Sequence, residues 1–321
     1  MKLSEIGGEF GFIKRVTGSP GSDPSVVRGV GDDCAVLETG GSDYTLVTVD
    51  MMVESTHFRL DWYGPFQLGA KLMEVNVSDI IAMGGTPRWA FISLALKKDT
   101  QVEFMDEFYR GLYDSAARHG VVLAGGDTTR GREMVLNLAL AGSVDKKLVR
   151  LRSGARPGEL ICVTGSLGKS EAGLRLLLAG RHEGYLSGYL EPRCRLASEG
   201  RAIAAHAGAM IDVSDGLASE VGHISEESGT GARIDRDAIP LSRETREAAR
   251  EAGGDPYDYA LHGGEDFELV FTLDPARLGA LKDEFTDFTV VGEVLRKEEG
   301  VFMMSGGRRI DMKGGYDHFA G

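Results

Sequence analysis

Two hydrophobic periods alternate along this chain. Near-alternating or continuous apolar runs rich in Val, Ile, Leu and Thr predict strands at 44–53, 89–96, 134–144, 160–164, 210–213, 267–272 and 289–295. Apolar residues spaced three or four apart predict helices at 65–83, 101–119, 170–179, 193–207, 217–227, 243–252 and 275–285. A short strand at 121–124 runs into a glycine loop, and 301–310 reads as a hairpin around Gly306–Gly307. Between 145 and 158 the chain turns basic and then carries Gly154, Pro157 and Gly158, which places a domain boundary dividing 1–148 from 149–321. Helices and strands mix in both halves, so the expected class is α/β (or α+β) with two domains. One echo, Val77–Ser78–Asp79 against Val213–Ser214–Asp215, is too short to establish a duplication.

Composition narrows the function. A net charge of −13 disfavours a nucleic-acid surface, because phosphate backbones attract Lys and Arg patches. Cys34, Cys162 and Cys194 have no metal-ligand spacing, so neither a disulfide scaffold nor a structural zinc is expected. The first eight residues lack the apolar core of a leader, and no run approaches the roughly 18 apolar residues of a membrane span. A cytoplasmic protein without a membrane partner is the expectation. The 45 glycines gather beside Asp and Thr, which points to tight turns and close backbone approaches.

Those glycines frame the candidate chemistry. Carboxylates sit at strand ends or in turns in Gly29–Val30–Gly31–Asp32–Asp33, Thr48–Val49–Asp50, Asn76–Val77–Ser78–Asp79, Gly125–Gly126–Asp127–Thr128–Thr129 and Asp212–Val213–Ser214–Asp215–Gly216. Magnesium takes hard oxygen ligands, usually a few carboxylates plus substrate phosphates, so dispersed Asp at strand ends suit a multi-magnesium polyphosphate site. Each segment also has a plainer reading: Asp215 as a helix cap, Asp32–Asp33 as a solvated turn, the Gly-Gly-Asp as a simple turn. Asp79 resists this, because Leu68, Leu72, Val75 and Asp79 share one helix face, and a carboxylate on an apolar stripe needs a partner.

Gly165–Ser166–Leu167–Gly168–Lys169–Ser170 imitates a P-loop, but two residues separate its glycines where a Walker A motif needs four. No Gly-x-Ser-x-Gly nucleophile elbow occurs, and no Cys–His arrangement is legible in the sequence. His57 follows the Asp50 strand, and His262–Gly263–Gly264–Glu265–Asp266–Phe267 places further carboxylates before an apolar strand.

In order and spacing these motifs resemble the thiamine-monophosphate kinase family, within the superfamily of aminoimidazole ribonucleotide synthetase and selenophosphate synthetase. The resemblance runs from Gly8–Glu9–Phe10–Gly11 to Gly315–Tyr316–Asp317–His318–Phe319. It implies a homodimer whose N-terminal mixed sheets pair into a barrel, with α/β C-terminal domains outside. It implies ATP as co-substrate, several Mg²⁺ ions, thiamine monophosphate as acceptor, and a monovalent cation as a further candidate. By position, Asp33, Asp50, Asp79, Asp127, Asp212 and Asp215 match the family's magnesium ligands, the first five being the candidate catalytic set. Gly126, Arg152 and Ser214 match nucleotide contacts, with Tyr109 a further aromatic candidate. His57, Glu265 and Tyr316 match acceptor contacts. Val49 departs from the pattern, because the family often carries a hydroxyl residue before the Asp. The rivals are another ATP-dependent synthetase of the superfamily and a non-catalytic nucleotide-binding or metal-buffering protein. Selenophosphate synthetase would be expected to carry a reactive Cys near the N-terminus, and the first Cys here is Cys34.

Overall fold

The structure, a computed structural model, describes residues 8–17 and 23–312. Its N-terminal half contains α1 (Gly8–Val16), β1 (Val26–Arg28), β2 (Ala35–Leu37), β3 (Asp43–Val53), α2 (Pro65–Ala82), β4 (Thr86–Leu96), α3 (Val102–His119), β5 (Val122–Arg130) and β6 (Val135–Asp145). The strands form one sheet in the order β1-β2-β3-β6-β4-β5, antiparallel except for the β4–β5 pair. The period-two pattern of β3, β4 and β6 decides the covered face. Leu46, Met52, Ala90, Ile92, Leu94, Leu136, Leu138 and Leu140 are buried beneath α2, whose Leu68, Leu72, Met73, Val77 and Ile80 are wholly buried.

Helices α2 and α3 approach closely because glycines face each other. A Cβ on Gly69 would stand 1.9 Å from the Phe108 carbonyl oxygen, and one on Gly111 would stand 1.9 Å from that of Phe66. Gly69→Ala should therefore lower stability by about 1–3 kcal/mol through forced separation of the helices. A urea midpoint unchanged from the parent would contradict that packing.

The C-terminal half contains β7 (Leu160–Thr164), α4 (Lys169–Leu178), α5 (Ser187–Leu190), α6 (Ala197–Ala204), β8 (Ala207–Asp212), α7 (Leu217–Ser228), β9 (Gly231–Asp235), α8 (Arg243–Ala252), α9 (Pro256–His262), β10 (Leu269–Leu273), α10 (Leu278–Glu284), β11 (Phe288–Leu295), β12 (Val301–Ser305) and β13 (Arg308–Asp311). Its seven strands run β13-β12-β9-β11-β7-β10-β8, with only β12–β9 parallel.

The expected helix at 193–207 begins four residues later, since Pro192 and the Arg195 ion pairs hold 191–196 out of helix. The glycine loop expected after 124 is instead strand: Gly125, Gly126 and Asp127 pair with Phe91, Ile92 and Ser93 on β4. A Cβ at Gly126 would lie 2.2 Å from the Ile92 carbonyl oxygen, so close strand packing demands glycine there.

A buried clamp ties the halves together. Both Glu74 oxygens lie 3.1 Å from Arg118 Nη1 and 3.2 Å from His119 Nε2. Ser115 Oγ donates to Glu74 at 2.8 Å, as does the Cys194 amide from the C-terminal half at 2.9 Å. Glu74, His119 and Cys194 could in principle hold a metal ion. The guanidinium and the hydrogen-bond donors already satisfy the carboxylate, so this cluster reads as structural.

Candidate active site

The site is assembled where α2 meets the C-terminal end of β8. Asp50 is on the inward face of β3, with its amide donating to Asn76 Oδ1 at 3.2 Å. Asp79, near the end of α2, accepts from Thr48 Oγ1 at 2.5 Å. Asp212 closes β8 and accepts from Ser78 Oγ at 2.5 Å. Thus, on the helix that carries Asp79, Asn76 holds the β3 backbone at Asp50 and Ser78 orients the Asp212 carboxylate from the other half.

The Gly-Asp-Asp turn divides its labour. Asp32, with its side chain fully buried, accepts from Arg28 Nε at 2.5 Å and from the Arg152 amide at 2.7 Å. Asp33 turns into the site, where Arg152 Nη2 lies 2.6 Å from its Oδ1. One ligand oxygen from each of Asp33, Asp79 and Asp212 lies within 4.8 Å of the others.

Asp79, Asp50 and Asp212 resist ionising together. Burial, followed by the charges of Asp50, Asp212 and Asp33, pushes Asp79 well above the carboxylate range. Burial and neighbouring Asp33 push Asp50 and Asp212 the same way. Asp33 Oδ2 and Asp50 Oδ2 are buried with no hydrogen-bond partner. Among the described residues, the Arg152 guanidinium paired with Asp33 cannot offset four clustered carboxylates, so hard oxygen donors are left with unmet demand for positive charge. This donor set fits divalent magnesium.

Ser214 and Asp215 follow Asp212 in a loop held by Glu220 of α7. Glu220 Oε1 accepts from the Ser214 amide at 3.2 Å and from the Asp215 amide at 2.8 Å. The residue flanking α7 is Gly216, so Asp215 is not its cap. The His-Gly-Gly-Glu-Asp segment lies directly against this loop. The Glu265 amide donates to the Ser214 carbonyl at 2.9 Å, and a Cβ at Gly264 would reach that oxygen at 2.1 Å. Asp266 turns away from the site: its carboxylate accepts from the amides of Gly168, Lys169 and Ser170 at 2.5, 3.0 and 3.2 Å. An internal carboxylate thus fills the N-terminus of α4, where a P-loop would place phosphate. Burial outweighs those hydrogen bonds and pushes Asp266 up to about 7.

The other expected residues are more dispersed. Asp127 and Gly126 are exposed on edge strand β5, and Asp127 Oδ1 accepts from the Thr128 amide. Tyr109 packs on α3 against Phe108 and Tyr113, at ring separations of 5.6 and 6.1 Å. His57 Nδ1 accepts from the Val53 amide in the turn after β3. Tyr316 lies outside the described residues. Val49 leaves the sheet on the face opposite Asp50 and is 59% exposed, so no side chain at that position could reach the cluster from this strand. Thr48, on the inward face, supplies the local hydroxyl. Glu220, Asn76 and Ser78 were not singled out by sequence; the spacing of Ser78 within Asn-x-Ser-Asp was the one available signal.

The AIR synthase related protein N-terminal domain matches residues 31–144, and the corresponding C-terminal domain matches 156–305. The chain is 35% identical to the thiamine-monophosphate kinase of Aquifex aeolicus over 325 residues, covering 99% of this chain and 100% of that one. It is 37% identical to that of Escherichia coli K12 over 333 residues, covering 98% of each. The chain belongs to the thiamine-monophosphate kinase family.

The fold agrees. A crystal structure of the Aquifex aeolicus thiamine monophosphate kinase aligns with TM-score 0.82 at 33% identity, over 97% of this chain and 100% of that one. AaThiL complexed with AMPPCP and TMP aligns with TM-score 0.86 at 34% identity, over 99% of each chain. Hydrogenase maturation protein HypE in complex with ATP, at 19% identity and TM-score 0.68, shares the fold over 91% of this chain and 90% of that one. The kinase family's two-domain architecture therefore frames the aspartate cluster.

Proposed function

We propose that this chain transfers the γ-phosphoryl group of ATP to the phosphate of thiamine monophosphate, forming thiamine diphosphate and ADP. The observation that carries the reading is the Asp33, Asp79 and Asp212 cluster at the junction of the halves, in a chain of this family. Magnesium bound there supplies charge neutralisation between two phosphorylated substrates. Asp33, Asp50, Asp79 and Asp212 fit that role, with Asp127 and Asp215 as further ligands. Arg152 presents its guanidinium beside Asp33 for nucleotide phosphate, and Glu220 fixes the amides of Ser214 and Asp215. Gly126 and Tyr109 complete the nucleotide contacts, and His57, Glu265 and Tyr316 receive the acceptor.

An acceptor phosphate oxygen forms the new P–O bond as the β–γ bridging bond breaks. A phosphate monoester is largely dianionic at neutral pH, so no protein base has to take a proton. With γ-labelled ATP, label should appear in thiamine diphosphate and never on the protein. A labelled protein formed in the absence of acceptor would overturn direct transfer.

The same reading takes 1–148 as the nucleotide and dimerisation domain and 149–321 as the domain completing the acceptor site. It locates the protein in the cytoplasm with no nucleic-acid partner, and takes a monovalent cation as an accessory to turnover. A homodimer is supported by the uncovered face of the N-terminal sheet. Val49, Met51, Trp89, Phe91 and Val122 are 48–60% exposed there, and Val49 and Phe91 both lie opposite Ala139. A contiguous apolar sheet face of this kind marks an association surface, and its occupant here is a second copy closing a barrel. Phe91→Asp should sediment as a monomer; a dimer of unchanged strength would contradict this arrangement.

A further inference from the structure

Lys71 is fully buried on α2, away from the aspartate cluster. Its Nζ lies 2.7 Å from Glu265 Oε2 and 3.0 Å from Tyr63 Oη. The Tyr189 and Tyr63 ring centroids stand 4.7 and 5.2 Å from it. Tyr63 gives its own proton to the Tyr189 carbonyl at 2.8 Å, so the phenol oxygen offers lone pairs to the ammonium. Two aromatic faces, one phenol and one carboxylate therefore fix this cation in place.

The carboxylate is the unusual partner. Glu265 has φ of 65°, a region rarely adopted by residues other than Gly, Asn or Asp. Its side chain remains 29% exposed while that of Lys71 is wholly buried. Its amide is tied to Ser214 of the nucleotide-side loop. A buried ion pair adds little net stability over an apolar pair of the same size. Strained backbone, a buried cation and a half-open carboxylate together are poorly explained by stability, and they converge on one orientation of Glu265.

We propose that Lys71 is a positioning residue of the acceptor site. It aims the Glu265 carboxylate at the acceptor and neutralises it, so that Glu265 accepts a hydrogen bond from the acceptor's pyrimidine amine in preference to countering its cationic thiazolium ring. This rests on Glu265 being an acceptor contact. A bare carboxylate would favour the ring charge, whereas one already paired with an ammonium keeps its lone pairs but little net charge.

Steady-state kinetics on the full chain test it. Lys71→Met should raise KM for thiamine monophosphate about tenfold, the scale of one hydrogen bond to a charged group, with KM for ATP and kcat nearly unchanged. Glu265→Gln should act on the same parameter, and the double variant should be no worse than the weaker single one. An acceptor analogue carrying a hydrogen in place of the pyrimidine amine, and so no donor there, should lose about tenfold in affinity for the unaltered protein. That measurement stands even if Lys71→Met fails to fold. If Glu265→Gln leaves KM for the acceptor unchanged, Glu265 is no acceptor contact and the underlying reading falls. If Glu265→Gln raises it and Lys71→Met does not, the positioning role alone is overturned. Equal rises in KM for both substrates with a lowered Tm would make Lys71 merely structural. An analogue bound as tightly as thiamine monophosphate would overturn the amine preference.

Discussion

Asp79→Asn is expected to lower kcat by roughly 10²–10³-fold, the scale of losing one preorganised electrostatic contact, while the protein stays folded. The side chain keeps its shape and can still accept from Thr48, so the packing of α2 is not disturbed. What disappears is the ionisable oxygen that Asp79 would offer to magnesium, in a cluster it shares with Asp33, Asp50 and Asp212. Because burial and the neighbouring carboxylates already disfavour a charged Asp79, the metal-free variant should melt no lower than the parent, and magnesium should stabilise it less than it stabilises the parent. Circular dichroism and thermal melts with and without magnesium, alongside turnover, check both parts. Normal turnover in Asp79→Asn would remove Asp79 from the site.

The largest stability loss is expected at Glu74. Glu74→Ala strips the buried carboxylate from Arg118, His119, Ser115 and the Cys194 amide and leaves the guanidinium and these donors facing an empty gap. Breaking a buried ion pair from one side costs about 3–5 kcal/mol. Burial alone would raise Glu74, but the His119 hydrogen bond and charge, the Cys194 contact and the Arg118 charge outweigh it and hold it down to about 2. The sign follows: a depressed carboxylate stabilises the fold above its unfolded value of about 4.5, and this contribution fades as pH falls from there toward 2. Denaturation of the parent and Glu74→Gln across that window should show their stability difference shrinking with acid. Turnover per folded molecule should stay near that of the parent, because Glu74 touches none of the site aspartates. A difference independent of pH would mean that Glu74 does not work through its charge.

Much of the site could be read before any coordinates. Asp79 stood out because a carboxylate on an apolar helix stripe needs a partner, whereas Asp33, Asp50 and Asp212 were picked out by the family resemblance of the motifs that carry them. The P-loop imitation at 165–170 was set aside on spacing, and the fold supplies the reason in Asp266, which occupies its amides. Residues whose role depends on a distant partner were not legible. Lys71 reads as an ordinary polar position in a helix until Glu265, 194 residues away, arrives beside it. Glu220 and Glu74 are hidden in the same way, as charged helix residues whose burial is decided by tertiary packing. The Gly-Gly-Asp strand was misread as a loop because consecutive glycines signal a turn, whereas here they permit close pairing with β4. The short strand Gly231–Asp235 and helix Pro256–His262 escaped notice because five or seven residues hold too little periodicity.

The central claim is acceptor-dependent transfer from ATP, and ADP release tests it most directly. Purified full-length protein with ATP and magnesium should release ADP rapidly only when thiamine monophosphate is added, with thiamine diphosphate formed in equal amount. ATP binding without acceptor-dependent ADP release, or ADP release that yields no thiamine diphosphate, would contradict the account.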